Sequence, residues 1–521
     1  MGERRRLDVE QCGSLRKEPL QACLDANLKR IREISGGSTD IIIREVRIGR
    51  SEIKMAILYT EGLADKKVIT DFILESLMLA IKETEIDLKI SDRSHVSRVL
   101  RDFALTVSDT NEVSDFDDLF AFLLSGDAVI LVDGSPCGIA ASSRGWKDRG
   151  VSEPAAQTVV RGPRESFTET LRTNTALIRR RIKDPHLWLE TIQIGRVTRT
   201  DVAIMYIKGI ANEKIVQEVR DRLKRIDIDG ILESGYIEEL IQDKTFTPFP
   251  TVHNTERPDA AAAGLLEGRV VILVDGTPFV LMVPALFAQF LQASEDYYQR
   301  WDFATLIRQI RYISLFISLL VPSMYIAITT FHQEIIPPRL LISLASQREG
   351  VPFPAFVEAL LMEITFEILR EAGVRMPRAI GQSISIVGTL VIGQAAVEAG
   401  IVSPAMVIVV AITAIANFVI PAFSVGISIR MLRFGLMALA ASFGLYGIIL
   451  GVIVIVLHLC SLRSFGAPYM SPFAPFHLAE QKDTLFRLPL WALFSRPRAI
   501  SQNDTIRENN EHPHPESKQN S

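Results

Sequence analysis

No lysine occurs between Lys244 and Lys482, and from Tyr312 to His458 only 14 of 147 residues are charged, against 23% of the whole chain. That scarcity sets a charge-poor C-terminal region apart from a charge-rich N-terminal one. Cysteine is equally sparse. Cys12, Cys23, Cys137 and Cys460 fit neither a metal knuckle nor a disulfide framework, so they read as buried small residues. The eight histidines are scattered, and His512 and His514 fall in a proline-broken tail. No catalytic triad, phosphate loop, dinucleotide fingerprint or zinc pattern is present, so neither an enzyme nor a cofactor or metal is expected. A net charge of −4 is too mild to call for nucleic acid or an acidic partner. The opening residues MGERRRLDVEQ are charged where a signal segment would be apolar, and position 6 lacks the Ser or Thr of a myristoylation signal. The N-terminal region is therefore expected to stay unexported.

What is present is, first, a repeat. IQIG at 192–195 matches VRIG at 46–49, and AIMYIKGIA (203–211) matches AILYTEGLA (56–64) at an offset of 147. LLEGRVVILVDGTP (265–278) matches LLSGDAVILVDGSP (123–136) at an offset of 142. Such a period means two related subdomains rather than a solenoid. Asp133-Gly134 and its counterpart Asp275-Gly276, each between apolar runs, read as tight turns. The expected organisation is a helical lead-in (1–39), an α/β subdomain (40–142), a basic linker (143–186), a second α/β subdomain (187–283), a connector (284–311), an all-α transmembrane bundle of four to five helices (312–459), an interfacial segment (460–500) and a disordered tail (501–521). The linker crowds Arg161, Arg164, Arg172, Arg179, Arg180 and Arg181 together. These arginines form a solvated helix surface, a subunit contact or a contact with anionic lipid.

The membrane part offers uncharged runs at 312–331, 379–397, 402–429 and 434–457, each near the 20 residues needed to cross a bilayer. Arg308 and Arg311 before the first run place its N-terminal side in the cytoplasm. Four spans leave Arg375, Arg378, Arg430 and Arg433 outside, against the positive-inside rule. Counting 355–372 as a fifth repairs this but exports the basic tail. We read 355–372 as partly embedded and the C-terminus as cytoplasmic.

Ionisable groups in membrane segments are costly and face a bundle interior or a wet path. Glu363, Glu367 and Glu371, four apart, share one helix face. On the next helix Gln394 and Glu398 share a face with Ser383, Val387 and Val391. That stripe suits a narrow pore with a dry valine constriction. It equally suits polar contacts that tie helices together, with Gly381, Gly388 and Gly393 permitting close approach.

PFPAFVEALLMEITFEILREAGVRMPRAIGQSISIVGTLVIGQAAVEAGIVSPAMVIVV, the linker EPAAQTVVRGPRESFTETLRTNTALIRRRI and LHLCSLRSFGAPYMSPFAP resemble the GerA family of spore germination proteins, specifically its A subunit, across roughly residues 24 to 500. The resemblance implies an integral protein of the spore inner membrane with its soluble region on the cytoplasmic, core side. It implies a nutrient germinant receptor shared with a transporter-like B subunit and a lipoprotein C subunit. It also implies homo-oligomerisation into a cation channel. A non-conducting scaffold and an A-like subunit of the dipicolinate-release channel are the alternatives.

Overall fold

The computed structural model describes residues 18–48, 53–70, 110–145, 153–154, 157–375, 393–501 and 504–507. The chain divides into two compact units, one of Met1–Gln242, Val252–Pro284 and Phe494–Ser521, the other of Asp243–Thr251 and Ala285–Leu493.

The first unit holds two five-stranded antiparallel sheets. Helix α1 (Leu24–Ile34), β1 (Ile41–Ile48), β2 (Ile53–Thr60), β3 (Thr110–Val113), α2 (Phe116–Leu123), β4 (Ala128–Val132) and β5 (Gly138–Ala141) form one half. Helix α3 (Leu171–Arg181), β6 (Leu187–Ile194), β7 (Thr200–Ile207), α4 (Glu213–Lys224), α5 (Ser234–Ile241), β8 (His253–Thr255), α6 (Pro258–Leu266), β9 (Val270–Val274) and β10 (Val280–Val283) form the other. The strand orders are β1-β2-β4-β5-β3 and β6-β7-β9-β10-β8, so the same path is traced twice. Val129–Val132 and Val271–Val274 hold the same central place in the two sheets.

The unbroken run AVILV exists because both faces of its strand are buried. Met55, Ile57, Ile130 and Val132 pack on one side with Ile69. Ala56, Leu58, Val129 and Leu131 pack on the other, against Leu24, Leu28 and Ile31 of α1 and Phe116, Leu119 and Phe120 of α2. Alternation would leave one face wet; here neither face is. Each such side chain contributes about 1.5–3 kcal/mol on burial.

The two Asp-Gly turns do more than reverse the chain. Asp133 Oδ1 accepts the Leu24 amide at 3.2 Å, and Asp275 Oδ1 accepts the Leu171 amide at 2.9 Å. Gly134 and Gly276 take φ of 90° and 92°, which a side chain would strain. Each turn thus seats the first residue of a helix. Asn27 and Asn174 bracket the same helix starts, bonding both backbone groups of Gln21 and of Thr168. Helix α1, in the stretch read as a lead-in, and α3, in the stretch read as a basic linker, therefore fill equivalent positions beside the two sheets.

The halves are tied by a buried ion pair. Arg179 Nε lies 2.7 Å from Asp40 Oδ2 and Nη2 lies 3.0 Å from Oδ1, with both side chains 1% exposed. Breaking a buried pair strands the remaining charge, at a cost of about 3–5 kcal/mol. Arg179→Leu is expected to unfold this unit at lower denaturant, and Arg179→Leu/Asp40→Leu to recover part of the loss. Denaturant titration of the full chain, followed by hydrogen exchange in β1, measures both.

The second unit is helical: α7 (Trp301–Thr330), α8 (Pro338–Arg348), α9 (Ala355–Arg375), α10 (Pro404–Phe418) and α11 (Phe423–Ser461). Helices α7 and α11 are long and apolar enough to cross a membrane. Helix α11, however, is not straight. Gly444 has φ 61° and ψ −142°, outside helical values. A methyl at Gly447 would lie 2.3 Å from the Leu439 carbonyl oxygen, and one at Gly451 would lie 2.4 Å from a Leu436 methyl. In a straight helix residues eight and fifteen apart are roughly 12 and 22 Å apart along the axis. The segment is a hairpin of two helices, about 423–443 and 445–461, folded at Gly444. The single last span expected at 434–457 is corrected accordingly, and the run 402–429 is cut between Phe418 and Phe423.

Helix directions follow from paired contacts. Asn417 Nδ2 reaches Ser318 Oγ at 3.3 Å and the Gly426 carbonyl at 3.2 Å. Phe331 and His332, past the end of α7, meet Gly444. So α7 and the first arm of α11 run in the same direction. Glu363 pairs with Arg433 and Glu367 with Arg430, so α9 runs against that arm. Ser403, which begins α10, bonds Glu358 near the start of α9, so α10 runs with α9. Arg430 and the C-terminal end of α9, with Arg370 and Arg375, therefore lie toward the same end of the unit as the N-terminal half of α7.

Arg308 and Arg311 are not free flanking charges. Both are buried. Arg308 lies 3.2 Å from Asp296 and 3.2 Å from Asp483, and Arg311 lies 2.7 Å from Asp296.

Candidate functional site

The glutamates that stand out in the sequence meet arginines inside the helical unit. Because α9 is regular, Glu363 and Glu367 fall one turn apart on one face. Arg430 and Arg433 fall three apart on the first arm of α11, so the two rows mesh. Arg433 Nη2 is 2.6 Å from Glu363 Oε2, and both side chains are 1% exposed. Arg430 Nη1 is 2.5 Å from Glu367 Oε2, and Arg433 reaches the other Glu367 oxygen at 3.9 Å. Glu371, farther along α9, is exposed and bonds Arg375 on its own helix at 2.6 Å. Five residues before Glu363, Glu358 is fully buried. Its Oε1 accepts the Ser403 amide at 2.5 Å and the Ser403 hydroxyl, while Oε2 faces Arg348 at 3.9 Å.

This arrangement favours the tying role for Glu363 and Glu367. A lone carboxylate in an apolar bundle costs several kcal/mol; a guanidinium on the facing helix offsets that and fixes the register. Arg430 and Arg433, read from sequence as charges flanking a span, are the partners within it. Asn417 and Ser318 extend the polar seam between α10 and α7.

The other candidates divide. Gln394 and Glu398 are both exposed, and Gln394 Nε2 donates to Glu398 Oε1 at 2.9 Å. Ser383, Val387 and Val391 lie outside the described residues. In the linker, Arg161 and Arg164 are exposed, Arg164 standing 3.5 Å from Glu153. Arg180 and Arg181 both reach Glu165, at 3.6 and 2.6 Å. Arg179, expected at a subunit or lipid surface, is instead inside the first unit on Asp40. Its helix turns it toward the sheet that precedes it.

The chain matches the family described as Bacillus/Clostridium GerA spore germination protein over residues 29–499. It is 52% identical to spore germination protein KA of Bacillus subtilis (strain 168), covering 93% of this chain and 88% of that protein. It is 46% identical to the uncharacterized membrane protein YfkQ of the same organism, over 93% and 92%. Among solved structures it is similar to the N-terminal domain of the A subunit of the Bacillus megaterium spore germinant receptor GerK3. That similarity is 44% identity over 52% of this chain and 98% of that one, at a TM-score of 0.42.

Proposed function

Because this chain belongs to the GerA family of spore germination proteins, we propose that it is the A-type subunit of a germinant receptor and that copies of it assemble into a cation channel opened when nutrient binds the receptor. The observation that carries the channel reading is the Gln394–Glu398 pair. These two polar side chains are exposed and bond only to each other at 2.9 Å among the described residues, in a stretch bordered by uncharged apolar runs. A carboxylate on an uncovered face of a membrane helix needs water or a neighbouring protomer. A ring of such helices supplies both, with cyclic symmetry the natural closure. In that ring Ser383, Gln394 and Glu398 would hold water and cations, and Val387 and Val391 would form the dry constriction.

The arginines at the C-terminal end of α9 favour that end as the core-facing one, and this reading puts the N-terminal region in the spore core and the helices in the inner membrane. A B-type and a C-type subunit are the partners this reading calls for. Cysteines introduced singly at 391, 394 and 398 test it. A positively charged thiol reagent should react at 394 and 398 in the assembled receptor and slow nutrient-triggered ion release at least several-fold. Reaction with no effect on release would favour a non-conducting scaffold.

A further inference from the structure

Among the described residues, α9 carries one guanidinium that no carboxylate at the α9–α11 seam pairs with. Glu363 is taken by Arg433, Glu367 by Arg430 and Glu371 by Arg375. Arg370, one turn beyond Glu367, is left without a carboxylate of its own among the described residues, and residues 376–392 contain no Asp or Glu at all. Arg370 Nη1 lies 3.4 Å from the Asn417 side-chain oxygen. Its guanidinium lies over two aromatic rings, 5.5 Å from the centre of Phe418 and 5.2 Å from that of Phe423. Those rings are 66% and 61% exposed. Phe418 closes α10 and Phe423 opens α11, so the group sits where two apolar helices end.

We propose that Arg370, held between Phe418 and Phe423, is the binding site for the phosphate of an anionic lipid headgroup. It rests on the membrane reading above. A guanidinium at the edge of an apolar layer needs an anion, and the neighbouring α9 carboxylates Glu363, Glu367 and Glu371 are engaged. The two rings hold the guanidinium by cation–π attraction, and its fork of N–H groups can meet two phosphate oxygens. The exposed faces of the same phenylalanines meet the acyl chains, so charge and apolar surface together match a phospholipid. The site also lies at the arginine-rich end of the unit, the end that anionic lipid favours. Asn417 bonds Arg370, Ser318 and Gly426, which places the bound headgroup one side chain from the contact between α7 and α11.

The test uses the full chain purified in a zwitterionic detergent and titrated with phosphatidylglycerol or phosphatidylcholine, bound lipid being counted by native mass spectrometry. Phosphatidylglycerol should bind and phosphatidylcholine should not. Arg370→Gln should weaken phosphatidylglycerol binding about tenfold, and Arg370→Lys less. Arg375→Gln, which alters an exposed arginine already paired with Glu371, should leave it within twofold. Millimolar inorganic phosphate should fail to displace the lipid. Displacement by phosphate alone would make this a free-phosphate site and overturn the lipid assignment. So would equal binding by wild type and a folded Arg370→Gln chain, or a crosslink from position 370 to a carboxylate of a second copy. A chain that stays in solution without detergent would instead overturn the membrane reading, which keeps the two failures apart.

Discussion

Arg433→Gln is expected to destabilise the helical unit by about 3–5 kcal/mol, because it strands Glu363 in a buried apolar setting. The residue is 1% exposed and its Nη2 lies 2.6 Å from the carboxylate. A glutamine in its place can donate neutral hydrogen bonds but cannot balance the charge, and Glu367 loses its second neighbour at 3.9 Å. The variant should give little detergent-stable protein, and its melting temperature should fall by well over 5 °C. Glu363→Gln/Arg433→Gln removes both charges and should recover much of the loss, since two amides can bond each other. If Arg433 were a flanking charge in the headgroup layer, Arg433→Gln would be nearly neutral and the double variant no better.

Gly447→Ala tests the hairpin. The added methyl would sit 2.3 Å from the Leu439 carbonyl oxygen and 3.0 Å from the Phe443 Cβ. Backbone cannot yield as a side-chain tip can, so the two arms must part, at a cost of about 1–3 kcal/mol or more. Gly435→Ala is the control, because a methyl there meets nothing within 4 Å. Thermal unfolding in detergent should lower the midpoint for Gly447→Ala and hold or raise it for Gly435→Ala, where alanine favours helix. Equal behaviour of the two would mean that the arms do not pack on each other.

These two cases also mark what could be read from sequence. The sheets were legible because AILY/AIMY and the ILVDG turns recur with their hydropathy intact, and buried strands have little freedom to diverge. The equivalence of the first helices of the two halves was not. Between α1 and α3 only Leu24/Leu171, Asn27/Asn174, Ile31/Ile178 and Arg32/Arg179 coincide. The last pair shows why identity is not environment: Arg32 is exposed beside Glu45 at 3.5 Å, while Arg179 is buried on Asp40. The glutamate face of α9 was legible from its spacing of four. Its partners were not, because an arginine beside an apolar run reads the same whether it meets a headgroup or a carboxylate 63 or 70 residues away. The fold at Gly444 left no mark either. Gly435, Gly444, Gly447 and Gly451 are alike in sequence, membrane helices tolerate glycine, and only the backbone at 444 leaves the helix.

Potassium release from dormant spores is the most direct measure of whether this chain provides the conducting path. Val391→Ser replaces an apolar ring by hydroxyls and favours the wetted state. With normal protein levels, spores carrying it should lose potassium without nutrient, and Glu398→Gln should slow nutrient-triggered release while leaving assembly intact. If both variants assemble and release potassium as wild type does, residues 382–400 do not line a pore, and the chain is a scaffold of the receptor rather than its channel.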